Sequence, residues 1–118
     1  MNPGHRIDEF YTCLLVSLAE CDSVLELGCG VGDKLARTPC SLRVGVDAFR
    51  PYLDMAVLKW GPRLHELHLA EAVEYMAKEV RVFDAILLID FIEHLPKDQG
   101  KQLLDRCHDQ EVARLAVL

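Results

Sequence analysis

The stretch VLELGCGVGD, residues 24–33, decides the fold of this chain. A short run that suits a buried strand ends directly in Gly28, Gly30 and Gly32, which stand two residues apart. Glycine lacks a Cβ atom, so a ligand can approach the backbone of such a loop closely. A dinucleotide loop has its third glycine where this chain has Asp33, and a triphosphate loop ends in Gly-Lys-Ser or Gly-Lys-Thr. The spacing therefore disfavours both kinds of nucleotide ligand.

Strands and helices alternate along the chain on both sides of this loop. The apolar spacing and the turn residues predict a first helix over residues 6–20, strands at 24–27, 42–47, 64–69, 83–90 and 112–118, and further helices at 32–37, 50–61, 71–80 and 97–109. Residues 85–89 are unbroken by polar side chains, as in a strand that is buried on both faces. Two histidines and a glutamate make the strand at 64–69 better suited to a sheet edge.

This alternation predicts an α/β fold: a doubly wound, mostly parallel sheet of about five strands, covered by helices on both faces. The chain has 118 residues, of which 51% are hydrophobic. That length and composition suit a single domain over residues 1–118 with a sizeable core.

Charge and hydropathy narrow the classes of partner. The formal net charge of -6 disfavours a general phosphate-backbone binder, so nucleic acid is not the expected partner. No apolar run approaches the ~20 residues that a membrane helix requires. The first ten residues, MNPGHRIDEF, lack the apolar core of a signal peptide. We therefore expect a cytoplasmic protein without a membrane partner.

The cysteine and histidine patterns do not suggest a metal site. The five cysteines are odd in number and form no CxxC pair, which favours reduced, mostly buried thiols over disulfides or a zinc site. His65 and His68 are predicted to lie on opposite faces of one strand, which is a poor arrangement for a shared metal. We expect no metal.

Three motifs, each at the end of a predicted strand, together carry a family resemblance. They are E-x-G-x-G-x-G from Glu26 to Gly32, the acidic Asp47 that ends the second strand, and DFIEHL from Asp90 onward. From about residue 22 to its end the chain resembles the class I S-adenosylmethionine-dependent methyltransferases. The resemblance implies S-adenosylmethionine as cofactor and a Rossmann-like core that lacks the last two of the family's usual seven strands.

The resemblance also implies which residues surround the cofactor. The backbone at Gly28 and Gly30 would approach the amino acid tail. Asp47 would accept hydrogen bonds from the two ribose hydroxyls, and the alternative is that it only caps the next helix. Phe49 would flank the adenine. The full set of expected cofactor-binding residues is Glu26, Gly28, Cys29, Gly30, Gly32, Asp47, Ala48, Phe49, Glu71, Ala72 and Asp90.

The sequence leaves alternatives for the roles of two acidic residues of that set, Glu71 and Asp90. Glu71 would read the adenine amino group, although it would also suit the first turn of a helix with no ligand at all. Asp90 would lie beside the methionine portion of the cofactor or beside the methyl acceptor.

His94 is the candidate catalytic residue. As a neutral imidazole it would accept a proton from the attacking nucleophile. The alternative is a histidine packed under the loop, hydrogen-bonded and inert. A nucleophilic role for Cys29 is disfavoured. The expected reaction is a direct in-line methyl transfer, in which the protein aligns the reactants and excludes water and no covalent enzyme intermediate is required.

Two functions remain open from the sequence. The first is a methyltransferase that acts on a small molecule. The DFIEHL form of the third motif favours this function. The second is a non-catalytic S-adenosylmethionine-binding or structural module.

The apolar run VARLAVL, residues 112–118, would form an exposed edge strand, so we also expect a homodimer through this strand unless the segment curls back over the sheet.

Overall fold

The computed structural model describes residues 18–19, 21–89 and 91–109, together with the backbone of residues 114–117. Its strands are β1 Ser23–Leu27, β2 Leu42–Asp47, β3 Glu66–Leu69, β4 Ala85–Leu88 and β5 Arg114–Val117. Its α-helices are α1 Asp33–Ala36, α2 Arg50–Trp60, α3 Ala72–Lys78 and α4 Lys97–Asp109, with 3-10 turns at Gly61–Arg63 and Ile92–His94.

The strands form one parallel sheet in the order β3-β2-β1-β4-β5. The chain runs outward from β1 through β2 to β3, then crosses back to place β4 on the other side of β1. This confirms the doubly wound α/β fold, and it confirms that β3 is an edge strand. The reversal of strand order between β1 and β4 is where ligands bind in sheets of this type.

Apolar side chains cover both faces of the sheet. Alternate residues of β1 enter different cores: Val24 packs with Leu35 and Leu87 on one face, whereas Leu25 packs with Leu103 on the other. All four residues of β4 are buried, as the unbroken apolar run predicts. The central strands are therefore held between two helix layers, and a polar side chain among them requires a specific reason.

The third and fourth strands are shorter than their apolar runs predict. A 3-10 turn, Gly61–Arg63, precedes β3, so this strand begins at Glu66 rather than at residue 64. His65 therefore lies before the strand, and its Nδ1 accepts a hydrogen bond from the backbone N–H of Arg43 at 3.0 Å. The prediction that His65 and His68 share one strand is wrong for this reason. β4 begins at residue 85 because Asp84 turns back to accept hydrogen bonds from the backbone at the start of β1.

Several predictions lie partly or wholly outside the described residues. They are most of the helix at 6–20, Asp90, Cys13 and the side chains of the last strand. The four described cysteines, Cys21, Cys29, Cys40 and Cys107, are buried, as expected. Within the described ranges, no helix is both long enough and apolar enough to cross a membrane. Self-association through β5 stays a prediction.

Candidate functional site

The glycine loop, residues 28–32, follows β1 at the carboxyl edge of the sheet. Its three glycines have φ angles of 72°, 57° and 82°, in the left-handed region that side chains with a Cβ rarely adopt. The N–H groups of Gly28 and Cys29 donate to the carbonyl of Val46 at 2.8 and 3.0 Å, and Gly32 N–H donates to Cys29 O at 3.0 Å. The first half of the loop is thus bonded to the end of β2.

The three glycines serve different purposes. A Cβ on Gly28 would stand 2.3 Å from the ring of Phe91, and one on Gly32 would stand 2.6 Å from Leu64. A Cβ on Gly30 would meet nothing within 4 Å. The room left at Gly28 is thus filled by Phe91, and Gly30 is the loop glycine that faces open space. The expected contacts between the loop and a ligand stay a prediction.

Asp47 ties the loop to the beginning of α2. One carboxylate oxygen accepts from Gly30 N–H at 2.9 Å and the other from Phe49 N–H at 2.8 Å. The residue at the N-cap position of α2 is Phe49, which makes no side-chain capping bond. Asp47 is therefore more than a cap for the next helix. A carboxylate has about four acceptor positions, so Asp47 keeps capacity for two more donors. Its role toward a ribose stays a prediction.

Glu26 is the polar side chain inside the sheet. It is 1% exposed, and its Oε1 has no hydrogen-bond partner among the described residues. Burial raises the pKa of Glu26 to about 8, the nearby charge of Asp47 adds to the rise, and Lys34 and a hydrogen bond from the Leu35 backbone oppose it. An unsatisfied buried oxygen is costly, and a cationic or hydrogen-bonding ligand would relieve that cost.

Cys29 lies inside the loop with its side chain buried. A Cβ on Gly45 would stand 2.8 Å from the Cys29 sulfur, so the glycine in the middle of β2 makes room for the thiol. Burial raises the pKa of this thiol far above its ordinary value, and the charges of Glu26 and Asp47 raise it further. A thiol that stays protonated is a poor nucleophile, in agreement with direct transfer.

Exposed apolar side chains lie beside the loop, at the start of α2 and the end of β3. Ala48 is exposed and Phe49 is 52% exposed; the Phe49 ring stands edge-to-face against Tyr52, with centroids 4.7 Å apart. Leu69, the last residue of β3, is also exposed. Such rings and aliphatic groups suit a flat aromatic ligand, although contact with an adenine stays a prediction.

Glu71 and Ala72 follow β3 at the same edge. Glu71 is the N-cap residue of α3, but its side chain makes no capping bond, and Ala72 is the buried first residue of the helix. The carboxylate of Glu71 is therefore not used to cap the helix. Whether it reads an adenine amino group is untested.

His94 closes the 3-10 turn after β4. Its side chain is 71% exposed, and its Nε2 is 3.8 Å from Oε1 of Glu93. The histidine is therefore not packed under the loop, and that alternative is wrong. A solvent-exposed imidazole can exchange protons with water, but its role as a base stays a prediction.

Two hollows in the described part of the chain lie away from the loop. One of about 410 Å³ opens along α3 between Leu69 and Glu79, and one of about 430 Å³ lies between the C-terminal ends of α3 and α4. In the described part of the chain, no three His, Cys, Asp or Glu side chains are grouped so that they could hold a metal ion. The arrangement of donors and acceptors, rather than either hollow, thus marks the candidate site.

No protein-family model matches the chain, and no curated protein matches it. Solved structures do. The N-methyltransferase NodS from Bradyrhizobium japonicum, in complex with S-adenosyl-L-homocysteine, is similar with a TM-score of 0.74 and 19% identity, over 92% of this chain and 57% of NodS. The chain has the Rossmann-like fold of class I methyltransferases.

Other structures with the methyltransferase fold match to a similar extent. A SAM-dependent methyltransferase from Archaeoglobus fulgidus has a TM-score of 0.70 and 21% identity, over 90% of this chain and 47% of that one. Magnesium protoporphyrin IX methyltransferase from Synechocystis, with bound SAM, has a TM-score of 0.66 and 16% identity, over 90% and 53%. The chain thus spans about half the length of the solved methyltransferases it matches.

Within this methyltransferase fold, sequence reasoning missed residues that shape the loop. Gly45 makes room for Cys29, and the ring of Phe91 packs at Gly28. The one available signal was Gly45 itself, because a glycine between two valines in a strand indicates a close approach by another group.

Proposed function

We propose that this chain binds S-adenosylmethionine and transfers its methyl group to a small molecule. The observation that carries the proposal is Glu26, a buried carboxyl next to a loop whose middle glycine faces open space; one of its oxygens has no partner within the described ranges. The methyltransferase fold supports it, as do the SAM and S-adenosylhomocysteine present in matching structures.

The residues at the carboxyl edge fit this cofactor. S-adenosylmethionine has an ammonium group, two ribose hydroxyls and an adenine, and it has no phosphate. The unpartnered oxygen of Glu26 would accept from the ammonium group, and the open space at Gly30 would admit the tail. The remaining acceptor capacity of Asp47 would take the ribose hydroxyls, and the exposed ring of Phe49 would flank the adenine.

The reaction would depend mainly on alignment. Bound S-adenosylmethionine supplies a sulfonium methyl that is electrophilic without any help from an enzyme nucleophile. The loop and Asp47 would fix its orientation, so that an acceptor reaches the methyl from the side opposite the sulfur. His94 would take the proton that the acceptor releases and pass it to solvent, to which its ring is exposed.

A small-molecule acceptor agrees with the net charge of -6, which does not favour a nucleic-acid backbone. Magnesium protoporphyrin IX methyltransferase, one of the matching structures, is named for such a substrate. The competing function is an S-adenosylmethionine-binding module without turnover.

Calorimetry followed by a transfer assay tests the proposal. The chain should bind S-adenosylhomocysteine more tightly than NAD, because the loop lacks the third dinucleotide glycine. Labelled S-adenosylmethionine is then incubated with small amines, carboxylates and an RNA oligonucleotide. Tighter binding of NAD overturns the proposal. Binding without transfer to any acceptor favours the non-catalytic module, and label on the RNA alone overturns the small-molecule assignment.

Two further expectations accompany this function. A cytoplasmic location agrees with the buried free thiols of Cys29, Cys40 and Cys107, and cell fractionation tests it. Self-association through β5 agrees with its position at the end of the sheet, where among the described strands it pairs with β4 alone. Sedimentation of the native chain and of a Leu115→Lys variant tests this, and a native chain that stays monomeric at high micromolar concentration rules it out.

A further inference from the structure

The second half of the glycine loop needs an anchor of its own. The first half is held by Val46 and Asp47 of β2. The loop then enters α1, which has only four residues, and a single helical turn is not stable by itself. The position of Gly32 and Asp33 must therefore be set by contacts with another element.

Asp33 provides such a contact with the last turn of α2. Its Oδ1 accepts a hydrogen bond from Nε1 of Trp60 at 3.0 Å and lies 2.9 Å from the ammonium of Lys59. Hydrogen bonds from Lys59 and Trp60 hold the pKa of Asp33 below its ordinary value, so the residue is ionised at neutral pH. The partners are 26 and 27 residues away in the sequence, so this contact connects two separate elements.

The ring of Trp60 also lies near the loop. A Cβ added to Gly32 would stand 3.5 Å from Cδ1 of Trp60, in addition to its clash with Leu64. One indole thus lies beside the last loop glycine and donates a hydrogen bond to the residue that follows it. The ring is partly buried in the core cluster beneath this helix layer.

We infer that Asp33 and Trp60 form a clamp that positions the glycine loop for its cofactor. Both are positioning residues: the carboxylate of Asp33 points to α2, and neither residue is assigned a contact with the cofactor. A loop with three left-handed glycines would sample many conformations if only one end were held, and binding would then have to order it. The clamp holds the other end in advance. This inference rests on the proposed function.

The clamp has its own spectroscopic reporter, because Trp60 is the single tryptophan of the chain. Its emission reports the state of the Asp33 contact without any ligand. Backbone hydrogen exchange of residues 28–33 separately reports the order of the loop.

The test compares Asp33→Ala and Asp33→Asn with a matched control, Asp54→Ala. Asp54 lies on α2 and pairs with Arg50 at 4.0 Å, but it is 68% exposed and has no loop contact among its described partners.

In Asp33→Ala, we expect faster exchange in residues 28–33, a shift of Trp60 emission to longer wavelength, and about fivefold to tenfold weaker binding of S-adenosylhomocysteine. The melting temperature should fall by no more than about 5 °C, because an exposed ion pair contributes about 1 kcal/mol or less. Asp33→Asn keeps an acceptor for the indole and should recover most of the affinity, and Asp54→Ala should behave as the native chain.

Each outcome decides the inference. If exchange and emission in Asp33→Ala equal those of the native chain, there is no clamp. If the loop exchanges faster and the affinity is unchanged, the contact is structural and does not position the loop for a ligand. If the native chain fails to bind S-adenosylhomocysteine, the proposed function and the positioning role fail together, and faster exchange in Asp33→Ala then shows a clamp that serves only the fold.

Discussion

The environment of Glu26 raises its pKa, whereas the environment of Glu66 and Glu79 lowers theirs. Glu66 and Glu79 share the guanidinium of Arg81, which bonds Glu66 at 2.8 and 2.9 Å and Glu79 at 2.9 Å. These hydrogen bonds lower the pKa of each carboxyl to about 2, helped by His68 at Glu66 and by Tyr75 at Glu79. Glu26 is buried, and this burial raises its pKa to about 8 against the opposing charge of Lys34.

The difference separates carboxylates with a structural role from the one carboxylate that the proposed function assigns to the ligand. The Arg81 network, formed by Glu66, Tyr75, Glu79 and Arg81, satisfies its own charges at the edge of the sheet and stabilises the turn after α3. Glu26 weakens the free protein, because one of its oxygens is buried without a hydrogen-bond partner among the residues that the structure describes. Such a local cost is common at binding sites, where the ligand completes the interactions.

The largest expected effect comes from filling the open space at Gly30. In Gly30→Val, a branched side chain would occupy the space that the cofactor tail needs, so we expect affinity for S-adenosylhomocysteine to fall by more than about a hundredfold. Calorimetry measures it.

Gly61→Val is the matched control for this variant. Gly61 has a φ of 53° and, like Gly30, no atom within 4 Å of a Cβ, but it lies outside the loop, directly after Trp60 at the end of α2. Both variants should lose similar stability through the strained backbone. If Gly61→Val binds as weakly as Gly30→Val, backbone strain or a displaced Trp60, rather than the blocked space, explains the loss.

The Glu26→Gln variant tests directly whether the buried carboxyl binds the ligand. Loss of a charge-assisted hydrogen bond to the ammonium group should weaken binding by about 1.5–3 kcal/mol. Glu66→Gln, the corresponding change in the Arg81 network, should leave binding unchanged. Equal affinity of Glu26→Gln and the native chain would show that the buried carboxyl is not in the site.

The pKa shifts predict that pH changes the stability contribution of Glu26 in the opposite direction to that of Glu66 and Glu79. The pKa of Glu26 is raised in the folded chain, so its contribution to stability is present below about pH 4.5 and is lost as pH rises through about 8, by up to about 1.4 kcal/mol per pH unit. Glu66 and Glu79 have lowered pKa values, so their contribution is present above about pH 4.5 and is lost as pH falls toward 2. Urea unfolding between pH 5 and 8 should show a flatter stability profile for Glu26→Gln than for the native chain. Parallel profiles would contradict the raised pKa.

Asp47→Ala should affect both binding and stability. Affinity should fall by roughly 1–3 kcal/mol through the lost acceptors, and the free energy of unfolding by about 1 kcal/mol, because two backbone N–H groups lose their partner. Asp84→Ala is a close control, since Asp84 accepts from two backbone N–H groups at the opposite end of β1. It should lose similar stability and keep its affinity. An Asp47→Ala chain that binds as the native one does would limit Asp47 to a structural role.

The smallest effect is expected in the Arg81 network. Arg81→Met should lower the free energy of unfolding by about 0.5–1 kcal/mol, because its side chain is 40% exposed and solvent screens the ion pairs. Binding of S-adenosylhomocysteine should not change. Calorimetry and thermal unfolding of one sample measure both quantities, and a large loss of affinity would show that this edge also contributes to the site.

Local patterns in the sequence determined the order and type of the elements. The alternation of apolar runs, the buried β4 and the edge position of β3 all follow from the polarity of neighbouring residues, which is a local property. The glycine spacing likewise predicted a bare loop after β1. Element ends were less predictable: β3 begins at Glu66 because a 3-10 turn uses the residues before it, and the pattern LHELHL does not reveal that turn.

Only the tertiary structure decided what each polar group of the site contacts. Asp47 reaches Gly30 across 17 residues, Asp33 reaches Trp60 across 27, and Phe91 fills the space beside Gly28 from the end of another strand. These partners are set by the order of strands in the sheet and by the crossings between them. Local hydrophobic patterns reveal which residues are buried, but the hydrogen-bond partners of a buried group depend on which distant segment the sheet places beside it.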